Sequence, residues 1–96
     1  MAERTVVVAS SVGLHARPAK IFAQAAAASG AGVRIAKAGG QPVDASSILR
    51  VMALGVKHGE EVTLSADGDT AETVLDGLVE LLAQDLDAVQ DGAVRA

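Results

Sequence analysis

His15 and His58 are the only imidazoles in the chain, and they sit in unlike surroundings. His15 lies in the stretch SSVGLHARPAK, after a Gly-Leu pair and ahead of Arg17 and Lys20, at the mouth of an alanine-rich run. That pattern puts an imidazole where a strand ends and a helix begins, beside cations, a good place for a polyanion to form or dock. A neutral ring nitrogen near physiological pH can exchange a proton, ligate a metal or accept a phosphoryl group. The amides of a helix start favour the neutral ring and later stabilise a negatively charged adduct. Arg17 is close enough in sequence to offer phosphoryl oxygens several N–H donors at once. The plainest competing reading makes His15 a surface helix cap and Arg17 a solubilising charge.

Other chemistries find less support. No glycine-rich phosphate loop accompanies a lysine and a hydroxyl, which argues against a nucleotide hydrolase. His58, in VKHGEE, makes no recognised metal spacing with His15, so no metal site is expected. Ser10, His15 and Asp67 could be imagined as a hydrolase triad, but nothing in the sequence brings them together or forms a nucleophile elbow. The absence of cysteine excludes disulfides, thiolate sites and cysteine nucleophiles. A net charge of -4 argues against general affinity for nucleic acid or anionic lipid, leaving room only for a local positive patch. The N-terminal MAERTVVVAS lacks the apolar core and flanks of an export signal, and no run approaches a membrane span. A cytoplasmic protein without direct membrane insertion is the expectation.

At 96 residues the chain is expected to form a single domain over 1–96, with one core and a flexible tail from about residue 86. RTVVVAS reads as a strand. ARPAKIFAQAAAAS, from Ala16 to about Ser29, reads as a helix closed by Gly30 and Gly32. Pro18 fits there: with His15 as cap it is the third helical residue, where an N–H would have no intrahelical acceptor. VRIAKA and QPVDA read as strands joined across Gly39-Gly40, with Pro42 at the second strand's beginning or on an outer edge. SSILRVMALG reads as a short helix capped by Ser46 or Ser47 and ended by Gly55. GEEVTLSADGD alternates, with Val62, Leu64 and Ala66 on one face. A last helix follows, capped by Asp69 or Thr70 with Glu72 spaced for reciprocal capping from Asp69; Val74, Leu75, Leu78 and Leu82 form its apolar stripe. Full burial of each of those three leucines contributes roughly 1.5–3 kcal/mol, against less than about 1 kcal/mol for an exposed ion pair. The order β-α-β-β-α-β-α suits an α+β fold, a largely antiparallel sheet covered on one face by helices.

Two stretches taken together carry a resemblance. Gly13-Leu14-His15-Ala16-Arg17-Pro18-Ala19, followed by Ser47-Ile48-Leu49-Arg50-Val51-Met52-Ala53-Leu54-Gly55, closely resembles the HPr family of histidine-containing phosphocarriers of the bacterial sugar phosphotransferase system. The likeness runs from about Glu3 to Leu82. It implies an open-faced β-sandwich, a four-stranded antiparallel sheet covered on one face by three helices. It also implies that His15 Nδ1 accepts phosphoryl from phosphoenolpyruvate-charged enzyme I and gives it to enzyme IIA domains for sugar uptake, with Arg17 supporting the phosphate. Such a chain is a relay and not an autonomous enzyme. It needs no permanent cofactor, and metal chemistry is left to the upstream enzyme; the chain itself is expected to be a monomer.

The second stretch holds more apolar residues than one inward stripe of a short helix needs. Ile48 and Val51 are assigned to the core. Leu49 and Met52 are assigned to partner binding, because the resemblance places the corresponding side chains on that surface, and a thioether adapts to successive partners. Ser47, a cap on physical grounds, corresponds to a serine that an HPr kinase/phosphorylase modifies in some members, with consequences for carbon regulation. Ser46 and Arg50 depart from the usual pattern of a basic residue before that serine and a glycine after it, a change that bears on kinase recognition and leaves the His15 motif intact. Two further readings stay open: a noncatalytic regulatory binding domain, and a specialised relative serving nitrogen or carbon regulation.

Overall fold

The computed structural model describes residues 2–9, 13–14 and 16–84. The elements follow the expected order: β1 (Ala2–Val7), α1 (Ala16–Ser29), β2 (Arg34–Lys37), β3 (Val43–Asp44), α2 (Ile48–Ala53), β4 (Glu61–Ala66) and α3 (Ala71–Leu82). The strands form one sheet in the order β1-β4-β2-β3, with every neighbouring pair antiparallel. His15, Ser10 and the tail expected from about residue 86 lie outside the described residues.

Alternation along the strands decides which face is covered. Val6, Val62, Leu64, Ala66 and Ile35 are buried, while Glu3, Thr5, Val7, Glu61 and Arg34 are exposed. The buried set meets Ala19, Phe22 and Ala26 of α1, Val51 of α2, and Leu75, Leu78 and Leu82 of α3 in one core. Phe22, the only aromatic residue of the chain, is fully buried there. Among the described residues no helix lies over the other face of the sheet, which is the open-faced arrangement.

The structure differs from the sequence pattern at three places. β1 begins at Ala2 and ends at Val7, earlier than RTVVVAS suggested, because its register is set by β4, from Ala2 opposite Ala66 to Val7 opposite Glu61. Beyond it the backbone turns to other partners: Val8 N–H donates to the Glu60 carbonyl (2.9 Å) and Ala9 N–H to the Leu82 carbonyl (3.0 Å). QPVDA contributes only Val43 and Asp44 as an edge strand, with Pro42 just before it, where a missing donor costs nothing. In α3 the cap is Thr70, without a side-chain hydrogen bond, so the expected Asp69–Glu72 box does not form. With Thr70 as cap, Glu72 falls one position short of the third helical residue that such a box uses. Glu72 instead lies 3.7 Å from Arg4, which also pairs with Asp76 at 3.0 Å and ties α3 to β1.

Candidate functional site

The backbone just before residue 15 is pinned to a segment far along the chain. Leu14, fully buried, donates its N–H to the Val56 carbonyl at 3.0 Å. Gly13 precedes it at φ +72°, and a Cβ there would lie 2.3 Å from the Val56 oxygen and 2.8 Å from Lys57 Cα. Glycine is therefore required twice, for its left-handed backbone and for the close approach of another main chain. On the other side Ala16 opens α1 at φ +46°, the only non-glycine residue with positive φ among the described residues. Such a conformation costs of order 1–3 kcal/mol and persists only where surrounding structure enforces it. The residue named as the phosphoryl acceptor thus stands between a buried, hydrogen-bonded leucine and a strained alanine.

α1 supplies the electrostatics. The only charged side chains in it are those of Arg17 and Lys20, both exposed, with no acid in the first turn. Pro18 and Ala19 are buried, which seats the helix start on the core while its charged residues face outward. In the first turn of a helix the N–H groups have no intrahelical acceptor; Pro18 contributes none, and the amides of Ala16 and Arg17 remain as donors at that end. An anion beside them gains from those amides, the helix dipole and the Arg17 guanidinium together.

α2 packs against α1. Its entrance is fixed by Asp44, whose Oδ1 accepts from Ser46 Oγ (2.6 Å) and Ser46 N–H (2.9 Å). The Ser46 hydroxyl, and next its amide, hold the Asp44 carboxyl below its ordinary pKa. Ser47 is the cap, its Oγ accepting from Arg50 N–H at 3.3 Å; Ser46 is not, because its hydroxyl is committed to Asp44. Val51 is fully buried, Ile48 and Met52 are half-buried, and Leu49 is 80% exposed. Gly55, at φ +67°, ends the helix as its type predicted.

The segment after α2, in which sequence reasoning weighed only His58, is the one that meets Gly13 and Leu14. Glu60 Oε1 accepts from Lys57 N–H at 2.8 Å and lies 3.5 Å from Lys37 Nζ, which reaches the Gly55 carbonyl at 3.4 Å. The Lys57 N–H, with the Lys37 ammonium adding to it, holds the Glu60 carboxyl below its ordinary pKa. His58 is exposed in this turn. Among the described residues no group of three or more histidine, cysteine or acidic side chains could hold a metal ion. Nor, among them, is any helix long and apolar enough to cross a membrane.

Residues 2–84 match the family described as "PTS HPr component phosphorylation site". A phosphocarrier protein HPr of Streptomyces coelicolor is 50% identical over 91 residues, 95% of this chain and 98% of that protein. The crystal structure of HPr-C-His from Thermoanaerobacter tengcongensis superposes with a TM-score of 0.79 at 40% identity, covering 85% of this chain and 91% of that one. An HPr dimer from the same organism gives 0.63 at 41% identity, covering 84% and 92%. A match across all the described residues, a half-identical relative of similar length and the same open-faced fold lead to one conclusion: the chain belongs to the HPr family of phosphocarriers of the phosphotransferase system.

Proposed function

We propose that the chain carries phosphoryl groups from phosphoenolpyruvate-charged enzyme I to sugar-specific enzyme IIA domains, with His15 as the transient covalent site. The Nδ1 lone pair attacks phosphorus in line. The new P–N bond forms as the bond from phosphorus to enzyme I breaks, and the leaving electron pair stays with enzyme I. Transfer to a IIA domain repeats the exchange with the carrier as leaving group. Arg17 and the first-turn amides of α1 spread charge over the phosphoryl oxygens during both steps. Because the carrier must release what it accepts, stabilisation has to be moderate, and an exposed Arg17 in place of a buried one suits that need. The observation that carries the reading is the pinned turn at Gly13-Leu14 leading directly through residue 15 into a helix whose first turn bears only positive charge.

Leu49, exposed beside half-buried Met52, offers apolar area for docking both partners in turn. Ser47 is a secondary, regulatory phosphorylation site for an HPr kinase/phosphorylase: a phosphate there suits the helix N-terminus that Ser47 caps and adds negative charge next to Leu49. The working unit is a cytoplasmic monomer. The test is onward transfer. Carrier charged by enzyme I and freed of it should lose its phosphoryl group to an added IIA domain, and Arg17→Ala should slow both steps while α1 stays folded. A charged carrier that IIA domains cannot discharge, yet that binds a regulatory partner stably, would replace the relay with a binding module.

A further inference from the structure

The segment of residues 9–13, which leads to Leu14 and then His15, is flanked on both sides by residues hydrogen-bonded to the same short turn. At its start Val8 N–H donates to the Glu60 carbonyl (2.9 Å) and Gly59 N–H to the Val8 carbonyl (2.9 Å). At its end Leu14 N–H donates to the Val56 carbonyl (3.0 Å), with Gly13 packed against the same group. Whatever fixes the distance between residues 56 and 60 therefore fixes how far apart Val8 and Leu14 are held. The turn is closed by one residue from both its main and side chain. Glu60 N–H donates to the Lys57 carbonyl (3.0 Å), and its carboxylate accepts from Lys57 N–H (2.8 Å). Lys37 braces the arrangement from β2, reaching the Glu60 carboxylate (3.5 Å) and the last carbonyl of the α2 exit, at Gly55 (3.4 Å).

We propose that Glu60 is a positioning residue for phosphoryl transfer at His15, its carboxylate closing the 56–60 turn to which Val8 and Leu14, the residue just before His15, are hydrogen-bonded. The inference rests on the reading of His15 as the phosphoryl acceptor. Glu60 acts through Lys57 N–H and the Val56 carbonyl on Leu14, the residue before His15 in the chain. Transfer is sensitive to such displacement, since a misplacement of about 1 Å costs up to about 10²-fold in rate. The hydrogen bond is the stronger link, because the Lys37 pair is a third exposed at both ends and screened by solvent.

Glu60→Met keeps the length of the side chain and removes the acceptor; Glu60→Gln keeps an acceptor and removes the charge. Initial rates of phosphorylation by enzyme I and phosphoenolpyruvate should show Glu60→Met slowed about tenfold in kcat with KM for the carrier unchanged, and Glu60→Gln restored to most of the wild-type rate. In ¹H–¹⁵N spectra the Lys57 and Leu14 amides should move in the methionine variant and return in the glutamine one. Should Glu60→Met not fold, Glu60→Ala makes the same comparison. Equal rates for wild type and the acceptor-free variant, a glutamine variant as slow as it, or an unmoved Leu14 amide each overturn the proposal while His15 labelling stands. A wild-type chain that takes no phosphoryl group from enzyme I overturns the His15 reading, and this proposal with it.

Discussion

Replacing Gly13 by alanine tests whether the backbone at Gly13 and Leu14 is held where the structure places it. Two costs can be separated. The first is conformational: at φ +72° a Cβ residue pays about 1–2 kcal/mol relative to glycine. The second is steric. The new methyl would lie 2.3 Å from the Val56 oxygen, 2.8 Å from Lys57 Cα and 3.0 Å from Lys57 C, all main-chain atoms that cannot swing aside. Overpacking of that kind costs about 1–3 kcal/mol. Together they give about 2–5 kcal/mol, a large share of the roughly 5–15 kcal/mol that holds a small domain folded. For a chain of this size that lowers Tm by roughly 10–30 °C. Gly39 supplies the comparison, since it has φ +77° and no atom within 4 Å of a Cβ placed there. Gly39→Ala should therefore show the conformational cost alone, about 1–2 kcal/mol. Thermal unfolding followed by circular dichroism reads both. Equal melting temperatures for the two variants would refute the close approach of Gly13 to Val56, and with it the pinning of Leu14.

Ser47→Ala removes the acceptor for Arg50 N–H and should cost about 0.5–1 kcal/mol in chemical denaturation, the low end for a cap because the bond is long and exposed; no change in the urea midpoint would deny the cap. Leu49→Ala should weaken enzyme I binding, measured by titration calorimetry, while altering stability by less than about 0.5 kcal/mol, because the side chain is 80% exposed. Leu75→Ala, fully buried, should cost about 2–5 kcal/mol; similar unfolding midpoints for these two variants would contradict the assignment of core and docking faces. Asp44 and Glu60 both have lowered pKa values in the folded chain. Their contribution is fully present above the ordinary carboxylate pKa and is lost as pH falls through the lowered values. Urea midpoints should be flat with respect to these groups from neutral pH down to about pH 5 and fall below about pH 4, less steeply in Asp44→Asn; an unchanged slope in that variant would deny the Asp44 shift.

What the sequence made legible were features set by neighbours along the chain. α1 occupies Ala16–Ser29 as read, because strong helix formers run up to glycines that stop them. Val62, Leu64 and Ala66 are buried as their alternation required, and Gly39 and Gly55 take the left-handed backbone their turns need. The choice of Ser47 over Ser46 as cap was not legible, since it depends on the Ser46 hydroxyl being taken by Asp44. The start of β1 depended on its pairing with β4, a tertiary matter. Around the candidate site the motif marked His15 and Arg17 as chemically interesting, but it carried no sign that Gly13 must abut Val56 or that Glu60 closes the facing turn. Both depend on chain segments that meet only in the folded state. The positive φ of Ala16 had no signal at all, because alanine is not a residue type that advertises it.

Incubation with phosphoenolpyruvate and purified enzyme I, followed by intact mass measurement and treatment of the adduct with acid and with alkali, tests the relay most directly. The account predicts one phosphoryl group per chain, labile in acid and stable in alkali, and absent from His15→Ala. Efficient labelling of His15→Ala would contradict it.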